Sequence, residues 1–258
     1  MKHQQIADYI SAWLKEYAEK ANMTGFVVGI SGGIDSALTS SLCALTGLDV
    51  LCLNMPIHQR KEEYDLAKAH IKSLQSRFQN VRALEIDLTA SFESFRSAIP
   101  QAAAEHGLSM ANSRSRLRMM TLYALGQANN LLVAGTGNKV EDFGIGFFTK
   151  YGDGGVDLSP IADLNKTEVT KLGKFLGVID GIVNAAPTDG LWGDARTDED
   201  QIGATYPELE WAMEFVGDEA LLSNRQIEVL QIYRGYHRVN QHKMQPIPVC
   251  IVPEDFKK

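Results

Sequence analysis

Ser31-Gly32-Gly33-Ile34-Asp35-Ser36 is the stretch of this 258-residue chain whose residue types and spacing most plainly carry chemistry. Two adjacent glycines let the backbone turn sharply and approach a ligand closely. An apolar run at residues 26–30 precedes the loop, ending in Gly29 and Ile30, and a helical pattern begins at Ser36. The first-turn N–H groups of such a helix have no internal partners and, with the helix dipole, favour an anion. Ser31 and Ser36 add hydroxyl donors. Asp35 opposes an anion unless a cation joins it, and a carboxylate combined with phosphate oxygens is the usual way to hold Mg2+. Phosphate with magnesium is therefore the coherent reading. The alternative is a tight turn with a capping serine and an acidic residue on the helix dipole. The loop is not a Walker A sequence, because no Gly-Lys-Ser/Thr follows, and it lacks the third glycine of the dinucleotide fingerprint.

Other residues could join this chemistry. Thr136 and Glu141 follow an apolar run at residues 131–134, where a ligand at the carboxyl edge of a sheet would meet them. Lys166 opens a helical pattern, an electrostatically poor place for a cation. An anionic ligand would remove that conflict, and a lysine swung into solvent would also avoid it. Arg114, Arg116 and Arg118 are spaced by two and cannot share one helical face, so at most one or two serve a site, with Arg116 the leading candidate. Phe147, Phe148 and Tyr151 suit either stacking on a flat ring or anchoring a loop. His242 lies near a helix end, where histidines commonly cap or pack.

The elements that must position these residues are legible from periodicity. Apolar runs at 26–30, 50–53, 81–88 and 131–134 read as buried strands. Between them lie helical patterns at 36–46, stopping at Gly47, at 62–78 and at 112–128, the last with Leu117, Met120, Ala124 and Leu125 turned inward. A leading helix at 6–17 carries Ile6, Ile10, Trp13, Leu14 and Tyr17 toward the sheet. Continuous apolar strands alternating with helices predict an α/β fold, an open, doubly wound parallel sheet with helices on both faces. Residues 136–157 are glycine-rich and aperiodic, which suggests a functional loop. Helical patterns return at 165–176 and at 223–240, the second opening on the capping box Ser223-x-x-Gln226. Without a repeat or a linker, residues 1–258 read as a single domain with helical decoration.

Bulk properties narrow the classes. The chain is 45% hydrophobic and 22% charged, as in soluble globular proteins, with no apolar run of the ~18–20 residues a membrane span needs and no signal-peptide pattern. A cytoplasmic protein with no membrane partner is expected. The net charge of −7 argues against general nucleic-acid binding. The three cysteines, Cys43, Cys52 and Cys250, form no Cys-x-x-Cys, and Cys43 and Cys52 sit in apolar stretches as small hydrophobes.

Ser-Gly-Gly-x-Asp-Ser resembles the signature of the N-type ATP pyrophosphatases, which cleave ATP between its α- and β-phosphates. The loop alone does not choose among their members. Three further segments do: Asn112-x-Arg114-x-Arg116-x-Arg118-Met119, Gly135-Thr136-Gly137-Asn138-Lys139-Val140-Glu141, and Gly146-Phe147-Phe148-Thr149-Lys150-Tyr151-Gly152-Asp153-Gly154. With Asp163-Leu164-Asn165-Lys166-Thr167-Glu168-Val169, they are similar to the ammonia-dependent NAD synthetases over residues 5–245. The resemblance implies an adenine nucleotide alpha hydrolase-like, Rossmann-like fold, and amidation of deamido-NAD to NAD, with ATP as co-substrate and ammonia as nitrogen donor. It implies that Gly29, Ile30, Ser31, Gly32, Gly33, Ile34, Asp35, Ser36, Thr136, Lys166 and Thr188 bind ATP. Asp35 and Glu141 would hold Mg2+, and Arg116, Lys150, Asp157, His242 and Lys243 would hold deamido-NAD. It also implies a homodimer. The chain departs from many members at Asp189-Gly190, after Thr188, and at Met244, after His242-Lys243. No amidase segment precedes the synthetase pattern, so free ammonia is the expected nitrogen source. Catalysis would be positioning and charge stabilisation, with no protein nucleophile. A tRNA-modifying adenylase would share the loop, but should carry a basic surface.

Overall fold

Three short buried apolar runs, and a fourth at residues 81–85 that is an edge strand with only Val81 buried rather than the buried run expected, form the strands of a computed structural model that describes residues 1–188 and 197–257. In chain order the elements are α1 (His3–Lys20), β1 (Gly25–Gly29), α2 (Ile34–Leu45), β2 (Asp49–Asn54), α3 (Lys61–Arg77) and β3 (Val81–Glu85), followed by α4 (Thr89–Ala98), α5 (Gln101–Ala104), α6 (Gly107–Ala128) and β4 (Leu131–Val133). A π-helix, Lys139–Ile145, comes next, then α7 (Lys166–Phe175), α8 (Asp180–Val183), α9 (Asp198–Ile202), α10 (Tyr206–Glu214) and α11 (Asn224–Met244). The strands pair in the order β3-β2-β1-β4, all parallel. Ala134 adds a parallel bridge to Leu158, so the chain returns beside β4 after its long excursion.

The sheet is wound in both directions from β1. Phe26, Val28, Val50, Cys52 and Leu132 face a core shared with α1, α2, α3 and α7. Val27, Leu51, Leu53, Leu131 and Val133 face a second core, which includes Phe92 of α4 and Met110 of α6. This is the predicted doubly wound α/β architecture. Its topological switch lies between β1 and β4, whose carboxyl ends open a crevice for ligands.

Two helix faces differ from expectation. On α6, Met120 and Ala124 point to solvent, because the helix meets the sheet through Gly126, where a Cβ would lie 3.1 Å from Val27 Cγ1. On α1, Ala7, Ile10, Leu14 and Ala18 make the buried stripe. Trp13 and Tyr17 stay largely exposed and pack on each other with ring centroids 5.7 Å apart.

A third core sits beyond the sheet. Val140 and Ile145 of the π-helix pack with Tyr206, Leu209 and Ala212 of α10 and Val229 and Leu230 of α11. Ser223 and Gln226 form the expected capping box at the start of α11, with Gln226 Oε1 accepting from Ser223 N at 2.9 Å. Cys43 and Cys52 are buried free thiols, and burial pushes Cys52 up to about 12. Among the described residues no helix is long and apolar enough to cross a membrane.

Candidate functional site

The chain leaves the sheet where Ile30 N donates to Leu53 O, and the glycine loop turns over the end of β1 into α2. Gly32 has φ +91°, and a Cβ there would lie 2.5 Å from the Glu63 carbonyl oxygen, so only glycine fits against α3. Ser31 Oγ accepts from Gly33 N at 3.1 Å. Ser36 Oγ accepts from Ser31 N at 3.2 Å and donates to Gly33 O at 3.0 Å. The buried Ser36 hydroxyl thus closes the loop from within, while Ser31 is exposed at its mouth.

Asp35 does not point into open solvent. Its Oδ2 lies 2.5 Å from Lys166 Nζ at the start of α7, and the same ammonium lies 2.9 Å from Glu141 Oε1. Lys166 is only 6% exposed. The expected conflict of a lysine at a helix start is resolved by neither route considered above, since the protein's own two carboxylates compensate it. Burial disfavours the ammonium, but Asp35 and Glu141 outweigh that and raise its pKa. The two carboxylates share one cation. Burial, offset in part by Lys166 but reinforced by Glu141, pushes Asp35 up. Burial would raise Glu141 as well, but Lys166 and the Tyr206 hydroxyl hold it down.

Three residues that the sequence reading did not single out hold this cluster. Asn138 Nδ2 donates to Asp35 Oδ1 at 3.0 Å, and its Oδ1 accepts from Val140 N and Glu141 N, each at 3.1 Å. One side chain therefore starts the π-helix and fixes Asp35; the readable signal was an asparagine at a helix-cap position. Tyr206 donates to Glu141 Oε1 at 2.5 Å, with Asp198 Oδ2 3.2 Å from the same hydroxyl, and its ring lies 4.9 Å from Lys166 Nζ. Glu210 accepts from Thr167 N at 2.9 Å and so ties α10 to the α7 start that carries Lys166. π-turns inside helical segments recur at functional sites, and here the π-turn carries Glu141. Thr136 is half-buried just past β4 on the same edge.

A second group surrounds residues 147–155. Arg116 Nη2 donates to Lys150 O at 3.3 Å, Lys150 Nζ donates to His242 O at 2.7 Å, and Lys243 Nζ donates to Phe148 O at 2.7 Å. The loop is pinned to α6 by Ser115, whose hydroxyl donates to Asp153 Oδ1 at 2.6 Å, and by Asn112, which accepts from Thr149 Oγ1 at 2.7 Å. Gly154 faces Phe148 so closely that a Cβ would lie 2.4 Å from Cδ2. Phe147 packs on the third core, whereas Tyr151 is exposed. Phe147 and Phe148 thus act as loop anchors, and the exposed Tyr151 ring lies under the Lys150 ammonium, 5.6 Å from its centroid.

The three arginines diverge as their spacing requires. Arg116 is exposed, and the Arg114 guanidinium lies over the Phe92 ring. Arg118 is half-buried, donating to Met55 O at 3.0 Å and to Gln59 Oε1 at 2.8 Å, and desolvation of its guanidinium lowers its pKa to about 10. Asp157 accepts from Tyr123 Oη at 3.0 Å and Val133 N at 2.8 Å, on the edge of β4. Thr188 is exposed and is the last residue described before 197; Asp189-Gly190 lies outside the described residues. Met244 ends α11, directly after Lys243.

Magnesium takes one or two carboxylates together with phosphate oxygens, in an all-oxygen set. Asp35 and Glu141 are two carboxylates gathered on one cation beside the glycine loop, so the residues present fit that ion.

The family model for NAD synthase matches residues 6–246. The chain is 37% identical to the NH3-dependent NAD+ synthetase of Mesoplasma florum, covering all of both chains. It is 36% identical to the corresponding enzyme of Finegoldia magna over 94% of each. Among solved structures, an NMN synthetase from Francisella tularensis superposes with a TM-score of 0.85 at 31% identity, covering 98% of this chain and 99% of that one. An NH3-dependent NAD synthetase from Campylobacter jejuni superposes with a TM-score of 0.77 at 26% identity, over 97% and 100%. A glycine loop at the β1–β4 switch point, two carboxylates on one lysine and a match along nearly the whole length agree, and the chain belongs to the NAD synthase family.

Proposed function

We propose that this protein is an ammonia-dependent NAD synthase that amidates the nicotinate carboxylate of deamido-NAD in the last step of NAD biosynthesis. The observation that carries the reading is the convergence of the Ser31–Ser36 loop, Asp35, Glu141 and Lys166 at the carboxyl edge of β1 and β4. In the proposed reaction, the carboxylate oxygen attacks the α-phosphorus of ATP, forming an acyl adenylate and releasing pyrophosphate. Ammonia then attacks the acyl carbon, the amide forms, and AMP leaves.

The chain's own residues act by position. The N–H groups of Gly32, Gly33 and the first turn of α2, with the Ser31 hydroxyl, receive the pyrophosphate. Gly29, Ile30, Ile34, Ser36, Thr136 and Thr188 shape the rest of the ATP site, and Lys166 supplies positive charge to the phosphates. Arg116, Lys150, Asp157, His242 and Lys243 bind deamido-NAD. Asp35 and Glu141 would hold magnesium, which would supply charge to offset that of the departing pyrophosphate. The enzyme works as a homodimer in the cytoplasm.

Amidation of nicotinate mononucleotide is a second reading, favoured by the superposition on an NMN synthetase over 98% of this chain. Both reactions use the same carboxylate and the same ATP chemistry, so the acceptor must be tested directly. The protein is incubated with Mg2+-ATP and ammonium, and either deamido-NAD or nicotinate mononucleotide. NAD, AMP and pyrophosphate formed from the dinucleotide at the higher kcat/KM support the first reading. Preference for the mononucleotide supports the second, and ATP turnover indifferent to both acceptors overturns the amide-synthase reading.

A further inference from the structure

Lys166 Nζ holds the position between the two carboxylates proposed as magnesium ligands, 2.5 Å from Asp35 Oδ2 and 2.9 Å from Glu141 Oε1. An ammonium at that spacing from two carboxylate oxygens leaves no room for a divalent ion on the same oxygen pair. We infer that Lys166 is a resident counter-cation, exchanged from the carboxylates to the ATP phosphates when the metal–nucleotide complex enters. The inference rests on the reading of Asp35 and Glu141 as metal ligands and adds an order of events to it.

Three features of the site support an exchange. Lys166 is buried at the first turn of α7, so a released Nζ needs another anion at once, because an unpaired buried charge is strongly disfavoured. Asp35 belongs to the glycine loop itself, two residues after Gly33, so phosphate oxygens seated there are within reach of a long lysine side chain. The remaining partners stay in place without the lysine, since Asn138 holds Asp35 at 3.0 Å and Tyr206 holds Glu141 at 2.5 Å. The carboxylates are therefore preorganised for a cation, and the lysine side chain is the moving part.

Before nucleotide arrives, the metal must compete with an intramolecular ammonium, which lowers its apparent affinity by the fraction of time the site is free. Nucleotide removes that competitor. Coupling in binding free energies is reciprocal, so metal and nucleotide raise each other's affinity by the same factor.

The test measures binding of Mn2+, an oxygen-preferring stand-in for Mg2+, by loss of the free-ion EPR signal. Wild type, Lys166→Met and Asp35→Asn are compared without nucleotide and with α,β-methylene-ATP. Wild type is expected to bind Mn2+ weakly alone, whereas Lys166→Met binds it about tenfold or more tightly alone, by removal of the competing charge. Equal affinity of wild type and Lys166→Met without nucleotide overturns the exchange. If Lys166→Met is unfolded on isolation, Mn2+ should restore its melting transition, because a metal that binds only the folded form stabilises it. A variant that metal fails to restore also overturns the proposal. The underlying metal assignment fails separately, if Asp35→Asn retains the Mn2+–nucleotide complex as tightly as wild type.

Discussion

The hydroxyl of Tyr206 lies 2.5 Å from Glu141 Oε1, and the tyrosine is 2% exposed. Burial and the neighbouring carboxylates keep this hydroxyl protonated, so it donates at every pH the enzyme meets. Tyr206→Phe keeps the ring beside Lys166 and removes only the donor. A hydrogen bond to a charged group contributes about 1.5–3 kcal/mol, so the carboxylate should lose its orientation while the fold survives. The expected result is a roughly tenfold rise in the Mg2+ concentration giving half-maximal turnover. An unchanged Mg2+ dependence with a lowered melting temperature would assign Tyr206 to packing alone.

Stability should fall on acidification through a residue outside the site. His70 is 1% exposed on the face of α3 that meets α2, with Nε2 2.9 Å from Ser40 Oγ and Nδ1 without a partner among the described residues. Burial, aided by Arg77, lowers its pKa to about 4. The unfolded chain takes up this proton below pH ~6.5 and the folded one only near 4, so acid favours the unfolded state. The contribution is intact above pH 6.5 and is lost progressively as pH falls to 4, by about 3 kcal/mol in all. Urea midpoints at pH 7, 5.5 and 4 for wild type and His70→Leu should diverge at pH 7 and converge at pH 4. Parallel curves would exclude the histidine.

The two loop glycines should differ in tolerance. Gly32→Ala places a Cβ 2.5 Å from the Glu63 backbone oxygen at φ +91°, whereas a Cβ at Gly33 meets, among the described residues, only Ser31 Oγ at 3.3 Å. Backbone strain alone is worth roughly 1–3 kcal/mol at the first position. Gly32→Ala should lower the melting temperature and abolish ATP-dependent pyrophosphate release, with Gly33→Ala milder in both. Equal losses at the two positions would contradict this account of the loop.

The second cluster makes a kinetic prediction. Lys150 and Lys243 each donate to a backbone carbonyl at 2.7 Å, on the loop and α11 that face each other beside Arg116. If they bind the pyridine nucleotide, Lys243→Met should raise its KM about tenfold and leave the KM for ATP unchanged. A rise confined to the ATP KM would move Lys243 to the other substrate.

The sheet was legible because parallel strands buried on both faces are continuous apolar runs, and β1, β2 and β4 are such runs. β3 ends at Glu85, short of the predicted residue 88, because Asp87 turns the chain by accepting from Thr89 N at 2.8 Å. The glycine loop was legible because its function is local, set by residues 31–36 alone. The carboxylate cluster was not, because it is assembled from residues 35, 138, 141, 166 and 206 on four separate elements and no spacing announces it. Lys166 shows the limit most clearly. A helix-start lysine reads as a conflict in one dimension, and only the fold supplies the two anions that resolve it.

The third core spans residues 140 to 236, so the π-helix cannot finish packing until α11 has been made. During synthesis the N-terminal sheet can form first and present its glycine loop, while the later helices are still emerging. Glu141 receives its tyrosine only with residue 206, and Gly144 O meets the His237 ring nitrogen 2.7 Å away later still. A growing chain therefore acquires a phosphate cradle well before it acquires a finished metal centre. Nascent chains on the ribosome should therefore capture nucleotide without cleaving it.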